Sequence, residues 1–95
     1  MKIIKDFIVR EIAGECVLVP TGKTALEFSG MVSLSPSGQF IWENLEKAES
    51  LNQLIDMILN EFDVDEKTAR QETIEFIASL LTRGFITTTR EDKTW

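Results

Sequence analysis

Three stretches in the first part of the chain alternate between apolar and polar positions, and this two-residue period predicts three β-strands. We predict these strands over 7–12, 16–19 and 31–35. The third strand consists of Met31, Val32, Ser33, Leu34 and Ser35. The dipeptide at 13–14 joins the first two strands into a hairpin with a tight, glycine-containing turn. The segment that follows the second strand is looser, and we expect its apolar positions at 25–28 to extend the sheet.

Beyond the third strand the apolar spacing lengthens to three or four residues, which predicts three helices. The first covers about 37–47, with a proline in its first turn and either Ser35 or Ser37 as its N-cap. The second begins at Ser50, which stands three residues before Gln53 as in a capping box. Each of these helices therefore has its own start signal in the sequence.

The third helix begins near Asp63 or Asp65 and runs to Arg83, where a glycine follows that suits the left-handed end of a helix. The β-prone residues 85–89 are predicted to form a final strand or wing. The polar residues 90–95 are expected to fray.

These elements predict a winged helix-turn-helix-like α+β fold, in which a three-stranded antiparallel sheet precedes three helices and a short C-terminal strand or wing. A chain of 95 residues suits one domain. We therefore predict a single domain over 1–95 with its core at about 7–87.

The third helix carries apolar side chains over a wide arc. At about 100° per residue, one stripe contains Ala69, Thr73, Phe76 and Leu80. A second stripe widens the apolar arc to about 160° before Ala78 is counted, beyond the roughly 100° that a surface helix needs. The second stripe contains Lys67, Arg70, Ile74, Ile77, Ala78 and Leu81. Two interpretations follow: either the sheet buries both stripes, or the second stripe forms a binding groove beside the third strand.

Composition argues against several classes of function. The chain has 16 acidic and 10 basic residues and a net charge of −6, which disfavours nucleic acid as a partner. It contains no histidine and one cysteine, so it offers no zinc, haem or iron–sulfur ligand set and no base beside Cys16. Glu72 and Glu75 are placed on the solvated face of the third helix. We therefore expect no enzyme activity, no metal and no cofactor.

The chain also lacks the sequence signals of a membrane protein. No stretch reaches the roughly 18 apolar residues of a membrane span, and the first residues do not resemble a signal peptide. One cysteine cannot form an internal disulfide, which fits a reducing compartment. We therefore expect a cytoplasmic protein with no membrane partner.

Two alternatives stay open from the residues alone. The third helix and the segment 85–90 fit a DNA-binding winged helix, although three basic and four acidic side chains between Asp65 and Arg83 would repel phosphate. The exposed margin of the sheet also fits a structural module that dimerises by pairing or exchanging edge strands.

Several segments resemble the PqqD-like family of small peptide chaperones, which recognise ribosomally made precursor peptides that are later modified. The resembling segments are 10–15, 17–22, 30–34, 38–43, 62–65 with Ala69, and 80–81 with 84–86. Their order and spacing cover nearly the whole predicted core. The resemblance implies a winged-helix-like domain without catalytic activity, which binds the leader of a precursor peptide and hands it to a maturation enzyme, often a radical-SAM protein.

The resemblance also implies where the leader binds, namely between the third strand and the third helix. By position this means Met31 to Ser35 and the helix face with Arg70, Ile74, Ile77 and Leu81, the face that the wide apolar arc also indicates. We expect apolar leader residues to set affinity there, and Lys67 or Arg70 to select an acidic leader residue. Accordingly, Ile77→Asp or Leu81→Asp is expected to abolish binding in a folded domain, whereas Leu80→Asp is expected to unfold it.

Overall fold

The computed structural model describes residues 1–89, which form five β-strands and four α-helices. In chain order these are β1 (Lys2–Ile3), β2 (Phe7–Ile12), β3 (Glu15–Pro20), α1 (Gly22–Glu27), β4 (Val32–Leu34), α2 (Pro36–Asn44), α3 (Leu51–Glu61), α4 (Glu66–Thr82) and β5 (Ile86–Thr87). The segment 90–95, for which fraying is predicted, lies outside the described residues. Within 1–89, no helix is long and apolar enough to cross a membrane.

The main sheet is antiparallel with strand order β2-β3-β4. Its hairpin turns through Ala13 and Gly14, which have φ angles of 53° and 82°, so both adopt the left-handed region that a tight two-residue hairpin turn requires. Leu34 of β4 pairs with Cys16 of β3. Along its other side, β4 has no strand neighbour within residues 1–89. The three predicted strands are thus confirmed, although β4 covers only the middle of the predicted third strand.

The segment after β3 is a helix, and the prediction that 25–28 extends the sheet is wrong. The amide of Asp6 donates to Thr24 Oγ1 at 2.8 Å, and the amide of Thr21 donates to the Asp6 carbonyl at 2.9 Å. These bonds fix a single helical stretch against the start of β2. Leu26 is 88% exposed, so one of the apolar residues that suggested a strand points into solvent.

A second, two-stranded sheet joins the two ends of the described chain. Ile3 of β1 pairs with Ile86 of β5, and the amide of Ile4 donates to the Phe85 carbonyl at 3.0 Å. No pattern in the sequence predicts β1, whereas β5 is predicted as a strand or wing. Because Phe85 and Ile86 are buried, this segment is a packed strand and does not project as a free wing.

Side-chain caps begin the three longer helices. Ser35, Ser50 and Asp65 each accept a hydrogen bond from the backbone amide three residues further on, at 3.1, 3.0 and 3.0 Å. The predicted alternatives are thereby decided in favour of Ser35 over Ser37 and of Asp65 over Asp63. Hydrogen bonds from Thr68 hold the pKa of Asp65 below its usual value, because they stabilise the carboxylate form.

The end of α4 is set by Gly84, as predicted. With Gly84 at φ 74°, the amide of Phe85 donates to the Leu80 carbonyl at 3.0 Å and that of Gly84 to Leu81 at 3.1 Å. This is the paired hydrogen-bond pattern of a Schellman motif, with Leu80 and Phe85 as its usual hydrophobic contact. The turn directs the chain from α4 back into the core.

The core lies between one face of the main sheet and the helices α2, α3 and α4. Phe7 of β2 connects the sheet to the helices. Its ring centroid lies 5.9 Å from that of Trp42 in α2 and 4.5 Å from that of Phe85, which follows α4. The α4 residues buried in this core are Ala69, Thr73, Ile77 and Leu80. Within residues 1–89, the opposite face of the sheet leaves Ile8 and Ile12 exposed.

Candidate functional site

The open side of β4 is the first component of the site. The paired residues Val32 and Leu34 point toward the core, whereas Met31 and Ser33 are exposed. An edge strand presents backbone N–H and C=O groups that have no partner in the sheet. An extended chain placed alongside β4 would therefore find a row of hydrogen-bonding groups.

A cavity of about 740 Å³ opens where β4 runs into α2. Ser35 and Pro36 stand at its mouth, and its floor is made of buried side chains from three helices. The buried floor residues are Ile41, Ile58, Ala69 and Thr73, and the half-buried rings of Phe62 and Phe76 form the walls. Its volume lies within the range of about 300–1,000 Å³ typical of ligand pockets in proteins, and its lining is largely apolar.

Two aromatic rings form the cavity walls and are held by their neighbours. The ring of Phe62 packs edge-on against Phe40, with centroids 5.5 Å apart. Phe76 approaches the first turn of α2, where a Cβ added at Gly38 would lie 3.6 Å from its ring. That separation is an ordinary van der Waals contact, so the ring of Phe76 lies directly beside the first turn of α2.

The rim of the cavity is acidic. Asp63, Glu72 and Glu75 line it, and its lining includes no lysine or arginine. None of these carboxylates forms an ion pair with another residue of the described range 1–89. Glu75 accepts one long hydrogen bond, of 3.4 Å, from the side chain of Gln71. The cavity thus combines an apolar interior with uncompensated negative charge.

The helix residues predicted for binding lie elsewhere. Ile77 is only 6% exposed and belongs to the core, so the prediction that it lines an open groove is wrong. Ile74 and Leu81 are 46% and 38% exposed, and Ala78 is exposed as well, but none of them lines the cavity beside β4.

The two cations that were predicted to bind the peptide also lie outside the cavity lining. Arg70 is half-buried and its guanidinium bonds to Glu66 at 3.1 Å, one turn earlier on α4. Lys67 is exposed. Neither residue lines the cavity. The expected positive charge at the end of a groove beside the third strand is therefore not part of this site.

The reason for the correction is the rotation of α4. A buried stripe has two flanks, and apolar spacing alone favours the more apolar one, with Ile74 and Leu81. The flank that faces α2 and Ser35, the residue after β4, carries Glu72, Glu75 and Phe76 instead. Phe76 was assigned to the core stripe, and only its half-burial places it at the margin of the cavity.

A second cavity of about 740 Å³ lies between the β2–β3 hairpin and α2, and Ser33 and Leu34 of β4 line it as well. Cys16 lines it and is half-buried. Burial raises the pKa of this thiol, and the nearby Glu43 and Glu11 raise it further, so the thiol stays protonated and weakly nucleophilic at neutral pH. Within residues 1–89, no three metal-ligating side chains gather into a possible metal site.

The fold and the site together define a winged helix-turn-helix-like α+β domain whose sheet edge leads into an apolar cavity. Residues 15–86 match the family described as Coenzyme PQQ synthesis protein D (PqqD), and the chain belongs to this family. This confirms the resemblance drawn from the sequence.

A solved structure has a similar fold. It is that of TbiB1 in complex with the TbiA(beta) leader peptide, with a TM-score of 0.67 and 24% sequence identity. The alignment covers 94% of this chain and 98% of that chain, so the two domains correspond over nearly their full lengths. No curated protein matches the chain.

Proposed function

We propose that this protein is a non-catalytic peptide chaperone, which binds the leader of a ribosomally made precursor peptide and presents it to a maturation enzyme. The observation that carries the proposal is the open edge of β4 together with the apolar cavity that begins at Ser35, the residue after this strand. Membership of the PqqD family supports it, as does the similar fold of TbiB1, which is bound to a leader peptide.

The two parts of the site would contribute differently to binding. Each backbone hydrogen bond along β4 adds only about 0.5–1.5 kcal/mol, and strand addition is nearly independent of sequence. A micromolar complex needs about 8 kcal/mol. One apolar side chain fully buried in the cavity adds about 1.5–3 kcal/mol. The edge therefore orients the peptide, and anchors in the cavity supply much of the affinity and the selectivity.

Within this proposal the peptide pairs with β4 along 31–35 and inserts an anchor between Phe62 and Phe76. In this placement the peptide pairs with the same strand, 31–35, that was predicted from the sequence to bind it. The placement moves the helix contribution from the flank with Ile74 and Leu81 to the flank with Phe76, because that flank borders the cavity.

The enzyme partner is a further part of the proposal. The resemblance to PqqD-like chaperones suggests a radical-SAM maturase in the cytoplasm as the enzyme that receives the peptide. The short reading frame and the maturase gene nearest to this gene are the natural candidates to test for complex formation. Co-purification of this chain with that maturase, in the presence and absence of the encoded peptide, would test the pairing.

Peptide binding itself can be tested with defined probes. Twelve-residue peptides selected from a random display library on the immobilised protein would be synthesised and added to the labelled protein. We expect the backbone amides of 31–35 to gain protection from hydrogen exchange and the ring signals of Phe76 to shift. If no peptide is enriched, or if protection increases only outside β4 and the cavity, the proposal is wrong.

The same edge could instead pair with a second copy of the chain. Size-exclusion chromatography over a range of protein concentrations would detect such a dimer, and the probe peptide should then compete with it. The DNA-binding alternative gains no support, because 85–87 packs against β1 and the chain carries a net charge of −6. A mobility shift at low salt tests this alternative directly.

A further inference from the structure

The cavity beside β4 contains a buried polar group that the free protein does not use. Thr73 lies on the cavity floor and is 1% exposed, and its hydroxyl has no hydrogen-bond partner within residues 1–89. A buried hydroxyl without a partner is destabilising, because folding removes its bonds to water. An unpaired hydroxyl at the base of a binding cavity indicates that its partner comes with the ligand.

The rim adds a second, independent preference. The carboxylates of Asp63, Glu72 and Glu75 surround the mouth of the cavity, and no cation of the described chain compensates them there. The rings of Phe62 and Phe76 line the same cavity. A ligand side chain that fits all three parts has a long apolar stem, a positive charge and several N–H donors.

We propose that this cavity selects a basic side chain of the bound peptide, and that arginine fits it best. The stem and the planar guanidinium would lie against Phe62 and Phe76, since arginine stacks well on aromatic faces. Its five N–H donors can serve both the Thr73 hydroxyl and a rim carboxylate. This inference rests on the proposed function and specifies it, and it reverses the sequence-based expectation that a lysine or arginine of this chain selects an acidic leader residue.

A charge-deletion cycle tests the proposal. A display-selected peptide with an arginine is compared with the same peptide carrying citrulline, which keeps the shape but removes the charge. Both are titrated into the unmodified protein, the double variant Glu72→Gln, Glu75→Gln, and the control Asp56→Asn, which alters an exposed carboxylate of α3 outside the cavity lining. We expect citrulline to weaken binding about tenfold in the unmodified protein and the control, and less than about twofold in the double variant.

The hydroxyl has its own test. Thr73→Val keeps the side-chain shape and removes the buried oxygen, so we expect the free protein to melt about 4–8 °C higher, while the arginine peptide binds less tightly. A melting temperature that falls would mean that the hydroxyl is already satisfied in the free protein. That result would remove the floor contact from the proposal.

The outcomes separate this inference from the proposed function. If the selected peptides lack basic residues, or if citrulline binds the unmodified protein as well as arginine does, the cavity does not select a cation. Peptide binding with protection of β4 would still stand in that case. If no peptide protects β4 at all, both proposals are overturned.

Discussion

The two flanks of α4 differ in a way that the apolar content of the helix does not reveal. One flank carries Ile74 and Leu81 beside Arg70, and it is exposed although much of it is apolar. The other carries Glu72, Glu75 and Phe76, and it borders the cavity beside β4. By composition the first resembles a peptide groove, yet only the second lines the cavity that opens at Ser35, the residue after β4.

The comparison shows that the neighbouring elements, as well as the helix itself, determine where a binding site lies. Ile74 and Leu81 are exposed but do not line the cavity that opens at the end of β4. The Phe76 flank lies against the first turn of α2, where the ring of Phe76 approaches Gly38. The residue after β4, the first turn of α2 and this flank line one cavity, and for that reason we propose this flank as the site despite its charge.

The largest loss of stability is expected when a charge is placed in the buried stripe of α4 between the two flanks. Ile77→Asp should unfold the domain at room temperature. Removing a buried isoleucine side chain costs about 2–5 kcal/mol, an unpaired buried charge adds to that, and a domain is stable by only about 5–15 kcal/mol. Circular dichroism would show the loss of helical signal. This replaces the expectation that Ile77→Asp yields a folded, binding-deficient protein.

The matched control is Ile74→Asp, one turn earlier on the exposed flank. The side chain there is 46% exposed, so the introduced carboxylate stays in water and the free energy of unfolding should change by about 0.5 kcal/mol. If Ile77→Asp remained folded, or Ile74→Asp unfolded, the assignment of the core stripe would be wrong.

The sequence allowed the main architecture to be predicted because its local signals are strong. The two-residue turn at 13–14, the caps at Ser35 and Ser50 and the glycine at 84 each act within a few residues. These turns and caps can therefore be recognised without knowing which distant residues are in contact. The main sheet and the three longer helices were therefore predicted in the right order.

What the sequence could not supply depends on contacts between distant residues. The β1 strand exists because Ile3 meets Ile86, far along the chain. The first helix is fixed by the bond from Asp6 to Thr24. The rotation of α4 depends on how Phe76 meets α2. Periodicity gives the width of an apolar arc, but the facing elements decide which flank of the arc becomes the site.

A smaller effect is expected on the binding flank. Phe76→Ala should lower the affinity for a display-selected peptide by about tenfold, because it removes one wall against which an apolar stem packs. Titration calorimetry would measure this on protein shown to be folded. Since Phe76 also packs against the core, Phe76→Leu serves as a second variant that keeps most of the contact and should bind with an intermediate affinity.

The control for that prediction is Leu81→Ala, which shortens an apolar side chain on the opposite flank. We expect its affinity to stay within about twofold of the unmodified protein, since Leu81 does not line the cavity. A large loss with Leu81→Ala and none with Phe76→Ala would show that the peptide uses the apolar flank after all.

The smallest effect tests the basic residue of the apolar flank. Arg70→Gln removes an exposed pair with Glu66 at 3.1 Å, and exposed pairs of this spacing contribute about 0.3–0.5 kcal/mol. We expect a slightly lower melting temperature and an affinity for the probe peptide that changes less than about twofold. Glu66→Gln breaks the same pair and also removes a favourable charge from the first turn of α4, so its melting temperature should fall somewhat further. If Arg70→Gln alone weakened binding severalfold, Arg70 would contact the peptide and the two flanks would share the site.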